Sequence, residues 1–122
     1  MIDDHELSWE LYLNALTSDY ADVQGGTTGE GIHAGVMAGT VLIALQSYAG
    51  LDLRGDSVKI NPNFPEHWRS VKFSFEFRDS VYYIQVDKKN VTIYFESDVA
   101  DKVKVEMKGH VMEVKRGERK KI

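Results

Sequence analysis

The apolar pattern of this chain changes period once, near Gly50, and that change governs what can be built from it. Before it, residues 32–48 contain no proline and few polar groups, with glycines recurring at Gly31, Gly35 and Gly39 and alanines on an adjacent row at Ala34 and Ala38. Positions four apart lie nearly above one another on an α-helix, so this stretch predicts a helix with a flat stripe that another backbone can approach. After Gly50, residues 71–77, 81–86, 91–95, 103–107 and 111–114 alternate apolar with polar side chains. That is the pattern of antiparallel strands with one face on a core. Arg78-Asp79-Ser80, Lys88-Lys89-Asn90 and Lys108-Gly109-His110 separate pairs of these segments as hairpin turns.

Residues 4–17 read as a first helix, with Leu7, Leu11 and Ala15 at spacing four and Trp9, Tyr12, Leu13 and Leu16 widening its apolar face. The second helix is expected over about residues 28–49, ending where Gly50 takes a left-handed conformation. His33, Thr40 and Gln46 interrupt its apolar run, which falls short of the roughly 18 residues of a membrane span, so its G-x-x-x-G spacing points to a buried soluble helix. Residues 52–59 look turn-like around Gly55, and residues 61–65 are too rich in proline to be regular. The expectation is an α+β chain: a helical hairpin over residues 1–52, then a small antiparallel β-sandwich or rolled sheet over residues 53–122. The boundary falls between Gly50 and Asn61.

A length of 122 residues supports one domain of ordinary size, or a small domain carrying an appendage. The formal net charge of -4 argues against a general nucleic-acid binder, which needs a basic face. Lys115, Arg116, Arg119, Lys120 and Lys121 do cluster, and on a terminal segment they read as a solvated, frayed end. Without cysteine there are no disulfides, thiolate metal sites or thiol nucleophiles, and a reducing compartment is permitted. The acidic, amphipathic start MIDDHELSWE lacks the basic and then apolar order of a signal peptide, so the expected location is cytoplasmic.

The stretch with chemistry is QGGTTGEGIH, residues 24–33, at the mouth of the second helix. Thr27 and Glu30 have the spacing of a capping box, and Gly25 and Gly26 let the backbone curl close to a ligand. Unpaired N–H groups and the positive end of the helix dipole would favour an anion there. A capping box is also an ordinary structural device, and spacing alone leaves both readings open. Glu30 and His33 have a Glu-x-x-His spacing, but His5, His67 and His110 sit in segments with no reason to converge, so no metal is expected. Tyr82, Tyr83, Tyr94 and Trp68 admit a competing reading, a free-standing carbohydrate-binding or interaction module in which the β region does the binding.

The run QGGTTGEGIHAGVMAGT closely resembles the C-terminal motif of glycoside hydrolase family 65, which includes maltose, trehalose and kojibiose phosphorylases. The spacing of Trp9, Tyr12, Ala15-Leu16 and Asp19, and of Tyr48-Ala49-Gly50-Leu51 and Asn61-Pro62, is similar to that family as well. Its members are several times longer, and most of their catalytic barrel has no counterpart in these residues.

The resemblance implies that the helical segment is the end of an (α/α)6 barrel. It also implies inverting phosphorolysis of an α-glucosyl disaccharide, with inorganic phosphate as co-substrate and no cofactor. In that reaction a glutamic acid protonates the departing oxygen while phosphate attacks the anomeric carbon from the opposite face. By the same resemblance Gly25, Gly26, Thr27, Thr28 and His33 line the phosphate side, and Gln24 and Glu30 support them. Glu10, Glu66, Glu76 and Glu96 have no paired carboxylate in the pattern, so no catalytic residue is expected here. The implied partners are a barrel-bearing chain or a second copy meeting the helical hairpin, with activity absent from the chain alone.

Overall fold

The computed structural model describes residues 4–22, 25, 26, 29 and 31–122. It has two compact units, residues 1–45 and 46–122.

In the first unit, helix α1 (His5–Thr17) opens on Asp4, whose carboxylate accepts the Leu7 N–H at 3.0 Å. This is an ordinary acidic N-cap, which satisfies one of the donors that a helix start leaves unpaired. Tyr12 is the buried residue of α1, with the Trp9 ring 5.7 Å from its own. Helix α2 (Ala34–Leu42) packs beside α1 and continues as a π-helical turn, Ile43–Tyr48. Its start is a correction to the sequence reading, which put it near Thr28. Gly31 has φ +104, a conformation no α-helix contains, so the helix cannot run through it. Thr27 and Glu30, expected to form its capping box, lie outside the described residues.

Much of the apolar surface of these helices faces outward: Leu11 is 51%, Val41 57% and Leu42 51% exposed. A Cβ added at Gly35 or Gly39 would meet nothing within 4 Å. The glycine stripe is thus open among the described residues, although the sequence pattern implied a closely packed neighbour. No helix among the described residues is long and apolar enough to cross a membrane.

The second unit is built from eight strands: β1 (Leu51–Asp52), β2 (Val58–Ile60), β3 (Ser70–Glu76), β4 (Ser80–Asp87), β5 (Val91–Ser97), β6 (Lys102–Met107), β7 (His110–Lys115) and β8 (Lys120–Lys121). They form two four-stranded sheets, ordered β1-β2-β6-β7 and β3-β4-β5-β8. One face of each sheet supplies a shared core in which Val58, Ile60, Ile93, Phe95, Val105 and Val114 are completely buried. Burying a side chain such as Phe95 contributes about 1.5–3 kcal/mol. Phe75, Tyr82 and Phe95 lie in register across β3, β4 and β5 and stack in a row, with centroids 5.1 and 5.9 Å apart. The five alternating segments are therefore strands, as their pattern requires, and the chain is α+β.

Two local readings change. Residues 52–59, expected as a turn, contribute β1 and β2, and β2 runs parallel to β6, the one parallel pairing among strands otherwise antiparallel. The basic end is also ordered: β8 pairs with β5, and Val91 and Ile122 exchange backbone hydrogen bonds of 2.9 and 2.8 Å. The open edge of β5 needs partners for its N–H and C=O groups, and the last residues supply them.

Turn chemistry fixes the hairpins. Arg78 and Asp79 both have positive φ, while Phe77 and Ser80 bond each other through their backbones. The Asp87 carboxylate accepts the N–H groups of Lys89 and Asn90 at 2.8 Å, which clamps the next turn. Gly50 is required where it stands: its φ is +70, and an added Cβ would lie 1.9 Å from the Asn61 carbonyl oxygen.

Candidate functional site

His33 is the residue around which the helical unit gathers polar chemistry. It is the N-cap of α2 in an extended conformation, yet its side chain makes no capping bond. The ring turns instead to Asp19, fourteen positions earlier, where Nδ1 lies 2.8 Å from Oδ1. The other carboxylate oxygen, Oδ2, accepts the His33 backbone N–H at 2.7 Å. Asp19 therefore grips His33 by ring and backbone together.

The electrostatics follow from burial and these bonds. The Asp19 side chain is 5% exposed and that of His33 44%. The bond from the His33 ring is the main influence holding the Asp19 carboxyl below its ordinary value, more than offsetting the opposing effect of burial. With Asp19 ionised, Nδ1 must carry the proton it donates, and this fixes the tautomer. Nε2 is then the ring nitrogen that Asp19 does not use, an acceptor when the ring is neutral and a donor when it is protonated. Such an imidazole can accept a hydrogen bond from the P–O–H of a hydrogen phosphate when neutral, or donate one to a phosphate oxygen when protonated.

The glycine turn is also anchored by a carboxylate. Gly25 and Gly26 have φ +72 and +91. The Gly26 N–H donates to both carboxylate oxygens of Asp22, at 2.8 and 3.0 Å, and the Gly25 N–H donates to the Asp22 carbonyl at 3.0 Å. These amides, which the resemblance assigned to an anion, thus donate to Asp22 in this structure. Gln24, Thr27, Thr28 and Glu30 lie outside the described residues. Among the described residues, no group of three His, Asp or Glu is placed to hold a metal ion.

Sequence reasoning missed the roles of Asp19 and Asp22. Asp19 entered only as part of a family spacing, and the available signal was a pair of carboxylates flanking Tyr20-Ala21 just before the loop. Glu66 lines a cleft of about 660 Å³ that Asp87 lines too. Asp87 is the turn clamp already described, and the backbone N–H groups of Lys89 and Asn90 hold its carboxyl below the ordinary value. A group so stabilised in its ionised form is poorly suited to be a general acid.

A helical pair with an Asp–His grip at the start of one helix, continued into a small two-sheet β unit, defines the class: an α+β module. Residues 51–114 match the family model described as glycosyl hydrolase family 65, C-terminal domain. The chain belongs to this family. It is 38% identical over 108 residues to an uncharacterised glycosyl hydrolase of Mycobacterium tuberculosis (strain ATCC 25618 / H37Rv), covering 88% of this chain and 8% of that protein. It is 34% identical over 102 residues to trehalose 6-phosphate phosphorylase of Lactococcus lactis subsp. lactis (strain IL1403), covering 84% of this chain and 13% of that one. Kojibiose phosphorylase of Caldanaerobacter subterraneus subsp. tengcongensis is 30% identical over 112 residues, covering 91% of this chain and 14% of that protein. A solved structure, a putative kojibiose phosphorylase from human microbiome, superposes with a TM-score of 0.77 at 22% identity, over 93% of this chain and 15% of that one. That likeness shows a shared fold. The chain spans only 8 to 14% of the length of these curated relatives.

Proposed function

We propose that this chain is the C-terminal portion of an inverting disaccharide phosphorylase, joined to or assembled with a catalytic barrel, and that it contributes the phosphate-binding loop but not the general acid. The observation that carries this reading is the Asp19–His33 grip at the start of α2, which fixes the imidazole tautomer and leaves Nε2 unused by Asp19 beside a helix N-terminus. The phosphorylases among the relatives support it, because phosphorolysis needs a held phosphate.

In the assembled enzyme a glutamic acid from the barrel protonates the departing glycosidic oxygen, and phosphate attacks the anomeric carbon from the opposite face. Phosphate needs no base of its own, so positioning is this chain's contribution. His33 Nε2 and the first turn of α2 hold the anion, Thr27 and Thr28 add hydroxyl donors, and Gln24 and Glu30 support the loop. Because the Asp22 carboxylate now takes the Gly26 N–H, phosphate entry requires that bond to be exchanged for one to the ligand. The helical segment serves as the last part of an (α/α)6 barrel, and its exposed apolar faces are the surfaces the rest of the barrel covers.

Complementation with the barrel portion of a family 65 phosphorylase tests this reading. Phosphorolysis should appear only in the complex. His33→Ala should raise KM for phosphate roughly ten- to a hundred-fold, the consequence of losing one hydrogen bond to a charged ligand, with little change in KM for the sugar. Equal loss of both affinities would remove His33 from the phosphate site.

A further inference from the structure

The outer face of the sheet β3-β4-β5-β8 adds nothing to the core and has no part in the phosphate loop. On it Tyr83 and Tyr94 stand opposite one another across β4 and β5, with ring centroids 5.6 Å apart and planes inclined by 47°. Tyr83 remains 44% exposed. Tyr94 is held in orientation, because its hydroxyl donates to Glu96 Oε1 at 2.6 Å. The pair lies in a depression of about 360 Å³ that is also lined by Lys72, Ser74, Gln85, Thr92 and Arg119. That volume is in the range of small-molecule sites.

A cross-strand aromatic pair steadies a sheet by itself, but that role asks nothing of the residues around it. Here the rings are surrounded by a particular polar set. Lys72 and Arg119 supply donors, Ser74, Thr92 and Gln85 supply both donors and acceptors, and no carboxylate is among the lining residues. A sugar ring has the matching chemistry, with an apolar face of C–H groups and a rim of hydroxyls that each donate and accept. The aromatic faces take the first and the polar set takes the second. A nucleic-acid strand would meet only two cations here, on a chain whose net charge is -4.

We propose that this face binds carbohydrate, and that its ligand is an α-linked gluco-oligosaccharide with successive rings on Tyr83 and Tyr94. The tilt between the tyrosines selects the linkage. A β-1,4-linked glucan is a flat ribbon that stacks on coplanar platforms, whereas an α-linked chain curves and presents successive rings at an angle. The surface lies wholly within the β unit, so it binds whether or not the loop at His33 takes phosphate.

Titration of the isotopically labelled chain with maltohexaose, and separately with cellohexaose, tests the assignment by NMR. Maltohexaose should give saturable shifts centred on the amides of Tyr83, Gln85, Thr92 and Tyr94, and cellohexaose should bind more weakly. Tyr83→Ala and Tyr94→Ala should each weaken maltohexaose binding roughly three- to ten-fold. Gln85→Ala and Arg119→Ala, which leave the aromatic pair in place, should also weaken it and carry the test if a tyrosine variant unfolds. Lys102→Ala, on the other sheet, should leave affinity unchanged. The proposal is overturned by the absence of saturable shifts at millimolar sugar, by equal affinity for the two sugars, or by shifts centred instead on the cleft that Glu66 and Asp87 line with Lys88 and Lys108.

Discussion

Gly50→Ala should be among the most damaging single changes in the β unit, and its cost separates into two parts. The first is conformational: a residue with a Cβ held at φ +70 costs about 1–2 kcal/mol relative to glycine. The second is steric. The new methyl group would stand 1.9 Å from the Asn61 carbonyl oxygen and 2.2 Å from its carbon, and these are backbone atoms that cannot rotate away. Asn61 would have to move, although its N–H donates to the Gly50 carbonyl at 2.9 Å and its side chain accepts the Lys108 N–H at 2.7 Å. Losing or stretching these bonds adds about 0.5–1.5 kcal/mol each, which brings the total to about 2–5 kcal/mol. Gly117→Ala is the internal control, since Gly117 has φ +74 but nothing within 4 Å of an added Cβ. It should cost only the conformational part, about 1–2 kcal/mol. Urea unfolding followed by Trp68 fluorescence in a Trp9→Phe background gives both values, because Trp68 packs against Tyr48 and Phe64 beside this junction. Equal destabilisation by the two variants would refute the steric reasoning.

The Asp19–His33 grip predicts a pH dependence of the first unit. Asp19 is depressed below its ordinary value of 3.8, so the stability it confers is present above that value and is lost as pH falls through the lower folded value. Helical circular dichroism of the wild type should therefore fall in acid with a component that Asp19→Asn lacks, and identical acid profiles would contradict this. Gly39→Ala places a methyl group in open space within α2, so it should stabilise the isolated chain by about 0.5–1 kcal/mol in thermal or urea unfolding. In the barrel complex the same change should weaken assembly, if the glycine stripe receives another backbone there. The exposed Leu11, Val41 and Leu42 should drive self-association of the isolated chain, and Val41→Lys should reverse it. Light scattering that finds only monomer at high concentration would count against that surface.

Local periodicity determined a good deal of this protein without reference to any contact. The alternation at Phe73, Phe75, Ile84, Val86, Ile93 and Phe95 marks β3, β4 and β5 and their core face, because the strand period is two and a slip by one residue would turn that face to solvent. The turn at Gly109 was readable for the same reason, since it is settled by neighbours within a few positions. The loop motif was equally visible as a string of residues. Its organisation was not, because Asp19 and His33 are fourteen positions apart and only the return of the chain from α1 brings them together. The same holds for β2, three residues that gain strand geometry by lying parallel to β6, and for β8, which is ordered by the open edge of β5. Segments this short have too few side chains to express a period. Their conformation is decided by which backbone groups elsewhere in the fold lack partners, and that property belongs to the tertiary structure alone.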